Sequence, residues 1–173
     1  RNQGIGFDQL IIIGLPKKGE YDFYVTFYNC DGSEAGMCLN GIRCAASYIW
    51  KNKFFPNSQV NLQTKFKNIL CSPEDNNDVS VIIDKPNRLN NKVISDKIQR
   101  KIGSDFFLSH IGNNHILIDA GSIKRIDLNG LYDDLQNIIK KESMNLSIFE
   151  ITKSNLFLIR TYENGVGETL SCG

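Results

Sequence analysis

The sequence predicts an α+β protein made of two similar, strand-rich halves. Short β-rich segments dominate both halves, whereas apolar residues recur at helical spacing only from about Leu39 to Lys51 and from about Gly130 to Lys141. In each half, strands lead into a loop of small residues and then to a cysteine where a helix is expected to begin. These cysteines are Cys38 and Cys172. We therefore expect two pseudo-equivalent domains.

The first half begins with a predicted hairpin, in which Gln9–Leu15 and Tyr21–Asn29 are separated by turn residues. The helix of about 39–51 follows the break at Gly36. Its apolar face is formed by Ile42, Ala45, Ala46, Ile49 and Trp50. Val60–Cys71 and Val79–Asp84 are predicted strands with polar turns between them.

A looser stretch begins at Lys85-Pro86-Asn87, and we place the domain boundary near residue 92, which gives domains 1–92 and 93–173. The second half contains one predicted helix, about 130–141. Its predicted strands are about Phe106–Ser109, Ile116–Asp119, Ser147–Thr152 and Leu156–Tyr162.

Composition excludes several functional classes. The chain has 173 residues, 41% of them hydrophobic, and a formal net charge of +1 with both signs scattered. No basic stripe indicates a nucleic-acid partner, and the longest apolar run, around residues 10–13, is too short to span a bilayer. We find no signal peptide and expect a cytoplasmic protein. The absence of an initiator Met and the last residues, Cys172-Gly173, lead us to expect a fragment that lacks both ends.

The five cysteines show no regular framework. No secretory context supports disulfides, so we expect reduced cysteines. Because no C-x-x-C spacing or nearby histidine accompanies the close group Cys30, Cys38 and Cys44, we do not expect a structural metal. Cys30, Cys44 and Cys71 are predicted to be small, buried apolar residues.

Cys38 has the strongest chemical signal among single residues. A cysteine at a helix N-terminus lies among unpaired backbone N–H groups and the positive end of the helix dipole, so its thiolate is favoured. The same N–H groups can hold a carboxylate, which suits an amino-acid substrate. Spacing alone is also compatible with a buried cysteine at a helix start.

Three further segments combine turn residues with polar side chains. Tyr28–Glu34 contains an Asp-Gly turn, and Gly112–His115 places a histidine beside two asparagines. Either could be an ordinary surface turn. The glycine-rich segment 1–9 fails as a phosphate loop, because it has no lysine at the required spacing and no following helix. His110 is predicted to be an ordinary strand residue.

Together these segments resemble the motifs of the diaminopimelate epimerase family, in the family's order and from the first residue to the last. The matching segments are Arg1-x-x-Gly4-Ile5-Gly6-Phe7-Asp8-Gln9, Asn29-x-Asp31-Gly32-Ser33-Glu34, Cys38-x-Asn40-Gly41-x-Arg43-Cys44, Gly112-Asn113-x-His115 and Glu163-x-Gly165-x-Gly167-Glu168-Thr169-x-x-Cys172-Gly173. The resemblance implies two domains, each a curved mixed β-sheet wrapped around a central helix. It also implies that the first strands of one domain and the last helix and strands of the other are missing.

The resemblance also assigns roles. It implies that Cys38 and Cys172 are the proton-transferring pair, and that His115 and Glu163 assist them as bases. Positions implied to line the substrate are Gln9, Asn29, Leu39, Asn40, Asn113, Asn145, Asn164 and Gly173. Three residues depart from the family's pattern: Leu39 replaces glycine, Asn114 replaces proline, and Asn164 replaces arginine.

The implied reaction interconverts LL- and meso-diaminopimelate, in the bacterial synthesis of lysine and peptidoglycan precursors. Two residues on opposite faces of the α-carbon are the minimal device, with one entering as thiolate and the other as thiol. No cofactor or metal is expected, the partner is a small amino acid, and a homodimer is compatible with the sequence. Three alternatives stay open: a proline-racemase-like or other two-cysteine isomerase, a non-catalytic degenerate homologue, and a thiol hydrolase built on Cys38 and His115.

Overall fold

The computed structural model describes residues 6–7, 9–16, 19–56, 58–153, 155–170 and 172. Its contacts divide the chain into two compact units, Arg1–Asp84 and Lys85–Cys172. The boundary expected near residue 92 therefore falls inside the second unit. The reason is that Asn87–Arg88 forms a strand that pairs with Ser109 and His110 of the second sheet.

Among the described residues, the first unit consists of one six-stranded sheet and one α-helix. The sheet runs β1-β2-β4-β5-β6, with β3 paired to β2. The elements are β1 (Gln9–Gly14), β2 (Phe23–Asn29), β3 (Glu34–Ala35), α1 (Leu39–Lys51), β4 (Val60–Gln63), β5 (Asn68–Pro73) and β6 (Val79–Ile82). The antiparallel β1–β2 hairpin and the bounds of α1 confirm the sequence prediction.

Helix α1 forms because its apolar residues recur on one face and pack on the sheet. The buried face consists of Gly41, Ile42, Ala45, Ala46 and Ile49. It shares one core with strand residues such as Val25, Phe27 and Leu62. Because α1 connects β2 to β4 and these strands are parallel, the sheet is mixed.

The second unit also contains a six-stranded mixed sheet, in the order β12-β11-β10-β9-β8-β7. Its elements are β7 (Asn87–Arg88), α2 (Lys92–Ile102), β8 (Phe106–His110), β9 (Asn114–Asp119), α3 (Leu128–Glu142), β10 (Met144–Lys153), β11 (Leu156–Glu163) and β12 (Gly167–Thr169). Helix α3 connects the parallel pair β9 and β10. The α+β class with mixed sheets is thereby confirmed for both units.

The core of the second unit lies on the face of the sheet that α2 and α3 cover. Leu135, Ile138 and Ile139 of α3 pack with Ile116 of β9 and Leu146 of β10. Residues next to these on each strand, among them His115 and Asn145, point to the opposite face, because side chains alternate along a strand.

Three sequence predictions differ from the structure. Helix α2 was not predicted, and the Val60–Cys71 stretch is two strands joined by a turn in which Thr64 N–H donates to Lys67 O (2.8 Å). Cys30 and Cys44 are exposed, because one follows the end of β2 and the other lies on the outer side of α1. Cys71 is buried as predicted, and burial raises its pKa to about 11.

In the part of the chain that the structure describes, no helix has the length and apolarity to cross a membrane.

Candidate active site

Cys38 is the N-cap of α1. Its backbone is extended, its carbonyl accepts from Ile42 N (2.9 Å), and its Sγ accepts from Gly41 N at 3.2 Å. The predicted position of this cysteine at a helix start is therefore confirmed. An N–H group directed at sulfur, together with the dipole of a 13-residue helix, stabilises a thiolate relative to a thiol.

Gly41 allows α1 to begin this close to the sheet. A Cβ at this position would lie 2.6 Å from Phe27 Cε1 and 3.3 Å from Cys38 Sγ. Phe27 is buried in the core, so it cannot move aside freely. Only glycine lets the cysteine, the helix start and β2 pack together in this way.

Asn29 and Asp31 form a hydrogen-bonded turn after β2. Asn29 Nδ2 donates to Ser33 Oγ (3.1 Å), and Ser33 donates to Asp31 Oδ1 from both Oγ (2.6 Å) and its backbone N–H (2.9 Å). These bonds, the one from the Ser33 hydroxyl first, lower the pKa of Asp31. The turn thus fixes the carboxamide of Asn29, a predicted substrate residue, at the end of its strand.

The other predicted residues of the first unit lie at the beginnings of their elements. Gln9, the first residue of β1, is the Cα partner of Asn29 on β2. Leu39 and Asn40 form the first turn of α1, where Asn40 Oδ1 accepts from Arg43 Nη1 (3.3 Å) and Leu39 packs against the core.

The second unit aligns three predicted residues across neighbouring strands. His115 on β9 and Asn145 on β10 are Cα partners. Glu163 on β11 follows Tyr162, whose Cα partner Leu146 follows Asn145. The side chains of His115, Asn145 and Glu163 therefore occupy one row on the face of the sheet away from α3.

The surroundings of His115 disfavour its protonated form. Burial, the largest cause, lowers its pKa below the usual value; the charge of Glu163 acts in the opposite direction, and His110 lowers it further. A neutral imidazole can accept a proton near neutral pH, which suits an assisting base.

Glu163 is oriented by a residue to which sequence reasoning gave no role. Thr169 Oγ1, on β12, donates to Glu163 Oε1 at 2.7 Å. This threonine is part of the Gly-Glu-Thr segment of the motif. Its hydrogen bond to Glu163 could not be predicted, because it depends on the pairing of β11 with β12. The hydroxyl holds the carboxylate on the same face as His115.

The carboxamide of Asn145 joins two further predicted residues. Its Oδ1 accepts from Asn164 N (3.0 Å), and its Nδ2 lies 4.0 Å from Cys172 Sγ. The structure thus brings Asn145, Asn164 and Cys172 together at one end of the sheet.

Other residues of the second unit form hydrogen bonds near the ends of its strands. His110 is the last residue of β8, as predicted, and its Nδ1 lies 2.9 Å from Asn114 Oδ1. Asn114 Nδ2 also donates to Glu142 O (2.9 Å), so the residue that replaces the family's proline ties β9 to the end of α3. Asn113 lies in the preceding turn, where its carbonyl accepts from Ile111 N (3.1 Å). Gly173, also a predicted substrate residue, lies outside the described residues.

Comparisons with known proteins agree with the motifs. The sequence family "Diaminopimelate epimerase" matches residues 1–89. The chain is 31% identical to the diaminopimelate epimerase of Buchnera aphidicola subsp. Baizongia pistaciae (strain Bp), over 100% of the chain and 64% of that protein. It is 32% identical to that of Blochmanniella pennsylvanica (strain BPEN), over 100% of the chain and 67% of that protein. The chain thus spans about two thirds of the length of these relatives.

Solved structures share the fold at low sequence identity. A hydroxyproline epimerase from Agrobacterium vitis superposes with a TM-score of 0.66 at 10% identity, over 92% of this chain and 54% of that one. A PhzF-family phenazine biosynthesis protein from Bacillus anthracis superposes with a TM-score of 0.62 at 10% identity, over 97% of this chain and 62% of that one. The family match and the identities to curated relatives, taken with the cysteine at the start of α1, show that this chain belongs to the diaminopimelate epimerase family.

Proposed function

We propose that the protein is an epimerase that interconverts LL- and meso-diaminopimelate by two-base proton transfer at the α-carbon. The observation that carries the proposal is Cys38, whose sulfur accepts a helix N-terminal N–H at 3.2 Å within the family's motif. The synthesis of lysine and peptidoglycan precursors, a cytoplasmic location and a homodimer belong to the same proposal.

In the proposed reaction, one cysteine thiolate removes the α-proton and becomes a thiol, while the other thiol gives its proton to the opposite face. The two cysteines exchange roles when the other isomer binds. Because the α-proton is far less acidic than a thiol, general-base catalysis, typically about 10²–10⁴-fold, must be supplemented by stabilisation of the carbanion. Backbone N–H groups at the start of α1 can hold the substrate carboxylate as negative charge develops there.

The remaining predicted residues support these steps. His115 and Glu163 assist the two cysteines as bases. The substrate is lined by Gln9, Asn29, Leu39, Asn40, Asn113, Asn145, Asn164 and Gly173. The chemistry needs no cofactor, because the thiol pair itself carries the proton.

The proposal is tested with the natural-length protein and LL-diaminopimelate in deuterated water. We expect deuterium at the α-carbon together with meso product, both measured by NMR. Exchange with proline or hydroxyproline but not with diaminopimelate would favour another two-cysteine isomerase. No exchange with any of these substrates would support the non-catalytic alternative.

Single substitutions separate the two-base mechanism from a thiol hydrolase. Cys38→Ser and Cys172→Ser should each abolish epimerisation. Each should retain elimination from a substrate analogue with a leaving group, because elimination needs one base only. A hydrolase built on Cys38 and His115 would instead survive Cys172→Ser.

Within this proposal, Asn164 bears on how the distal carboxylate of the substrate is recognised. In the family an arginine is expected to grip the distal carboxylate here, and a neutral carboxamide offers shorter reach and no charge. Arg160 cannot compensate, because its guanidinium is bound to both Glu168 oxygens (2.7 and 2.9 Å) and to the carbonyls of Ile123 and Ile126 (both 2.9 Å).

Asn164→Arg is the corresponding experiment. A restored charge-assisted bond is worth about 1.5–3 kcal/mol, which would tighten diaminopimelate binding roughly tenfold to a hundredfold. Analogues that lack the distal carboxylate serve as the control and should gain nothing. Unchanged binding of every ligand would mean that position 164 does not contact the substrate.

A further inference from the structure

Asn145 lies at the centre of the polar face of the second sheet. It is only 9% exposed, on β10 between β9 and β11. Its neighbours Met144 and Leu146 point into the core, which leaves the Asn145 carboxamide on the other face. A buried carboxamide is stable only when its polar atoms have partners, so the identity of those partners reveals its role.

The hydrogen bond to Asn164 fixes the orientation of this carboxamide. A backbone N–H can only donate, so the atom that it meets at 3.0 Å must be the oxygen of Asn145. The NH₂ end is therefore the end that lies 4.0 Å from Cys172 Sγ. Asn164 N thus excludes the flipped carboxamide, in which an oxygen would face the sulfur.

From this geometry we propose that Asn145 is a positioning residue that presents an N–H donor to the sulfur of Cys172 and favours its thiolate over its thiol. A thiolate is a good acceptor for such a donor, whereas a neutral thiol is a weak acceptor and a weak donor. The assignment rests on the proposed function insofar as it makes Cys172 a base. It differs from the substrate contact that the family resemblance implies for Asn145.

The charge of Glu163, on the same face as Asn145, opposes a thiolate at Cys172. Glu163 on β11 carries a negative charge and is held in place by Thr169. Burial lowers the pKa of His115 on β9 despite the charge of Glu163, and His110 on β8 acts in the same direction as burial. Glu168 on β12 is the Cα partner of the core residue Tyr162, so it lies on the other face, where it is paired with Arg160. A donor aimed at Cys172 therefore acts against the charge of Glu163.

The rate at which each cysteine reacts with iodoacetamide, followed against pH by peptide mass spectrometry, tests this role without substrate. Asn145→Ala removes the donor without adding charge, so Cys172 alkylation near neutral pH should fall about threefold to tenfold and its midpoint should move to higher pH. Asn145→Asp keeps an acceptor for Asn164 N but replaces the donor with a negative charge. Its effect should be larger.

Two controls accompany these variants. Ser147→Ala deletes another buried polar group of β10, two residues further on, whose Oγ lies 2.9 Å from Thr161 Oγ1. It should leave the Cys172 profile unchanged. Cys38, in the other unit, reports on each sample and should keep its own profile. Buried Cys71, with a pKa of about 11, should stay unreactive unless the protein unfolds.

The proposal is overturned if Asn145→Ala leaves the Cys172 profile at wild type, even when Asn145→Asp shifts it, because charge alone would then explain the shift. An equal shift in Ser147→Ala would also overturn it, since that result would indicate general loosening of the sheet. If Asn145→Ala does not fold, Asn145→Ser, neutral and too short to reach the sulfur, takes its place under the same criteria. Failure of the proposed function would appear instead as absent deuterium exchange, with the alkylation profiles unaffected.

Discussion

Helices α1 and α3 begin with nearly the same sequence, Cys38-Leu39-Asn40-Gly41 and Asp127-Leu128-Asn129-Gly130. In both, the first side chain caps the helix by accepting from the glycine N–H. Sulfur does so at 3.2 Å in α1, and a carboxylate oxygen does so at 3.1 Å in α3. The same backbone geometry therefore holds an anion at α3 and a thiol or thiolate at α1.

The difference between the two starts lies in the capping atom and in what surrounds it. Aspartate is among the preferred N-cap residues, whereas cysteine is not, so capping alone does not account for Cys38. The start of α1 also packs on buried Phe27, whereas the exposed cap of α3 has only Asp127 atoms near Gly130. A less favourable cap in a tightly packed setting is typical of a functional site.

Cys38→Asp gives the largest expected effect, because it places the α3 cap at the start of α1. A carboxylate can cap the helix but is a much weaker base than a thiolate. We expect α-proton exchange to fall by about 10²–10⁴-fold, with stability in urea equal to wild type or higher. Undiminished exchange would remove Cys38 from the mechanism, and a large loss of stability would break the comparison with α3.

Gly41→Ala and Gly130→Ala compare the packing of the two starts. At Gly41 the added methyl group meets the ring of Phe27, so we expect a loss of about 1–3 kcal/mol from overpacking. At Gly130 it meets only the exposed Asp127 side chain, and the loss of a cap is offset by alanine's helix propensity of about 1 kcal/mol. Urea unfolding measures both; equal costs would show that the core does not constrain the start of α1.

The smallest effect concerns capping itself. Asp127→Ala should cost about 1 kcal/mol, as is usual for a lost N-cap. Cys38→Ala should cost less near neutral pH, because a thiol is a poorer acceptor than a carboxylate. The free energies of unfolding of the two variants, each measured in urea against wild type, give the two costs. A larger cost for Cys38→Ala would mean that its sulfur stabilises the helix as strongly as a full charge.

The strongest local patterns could be predicted from the sequence. Helix α1 was predicted with its observed bounds because apolar residues, among them the buried Ile42, Ala46 and Ile49, repeat at helical spacing after a cysteine. Helix α2 was missed, because only Ile94 and Ile98 are buried among charged residues. Its remaining signals are its caps, Asn91 and the left-handed Gly103.

The sequence motifs supply candidate site residues but not the contacts between them. The motifs supplied Cys38, His115 and Glu163, yet the bond from Asn164 N to Asn145 joins residues 19 apart in sequence. Such a contact depends on strand register, and β10 pairs with β11 across an irregularity between Ile151 and Lys153. Register at that distance does not follow from periodicity.

The position of β10 in its sheet has a consequence for hydrogen exchange. This strand is flanked by β9 and β11, and its first five residues are all buried, whereas β12 is the last strand in the order of the described sheet and has three residues. Amides of a buried inner strand exchange only through large openings, whereas a short outer strand exchanges through local fraying. The carboxamide of Asn145 is therefore carried by the slowly opening part of the unit, and the hairpin that carries Glu163 and leads to Cys172 closes onto it.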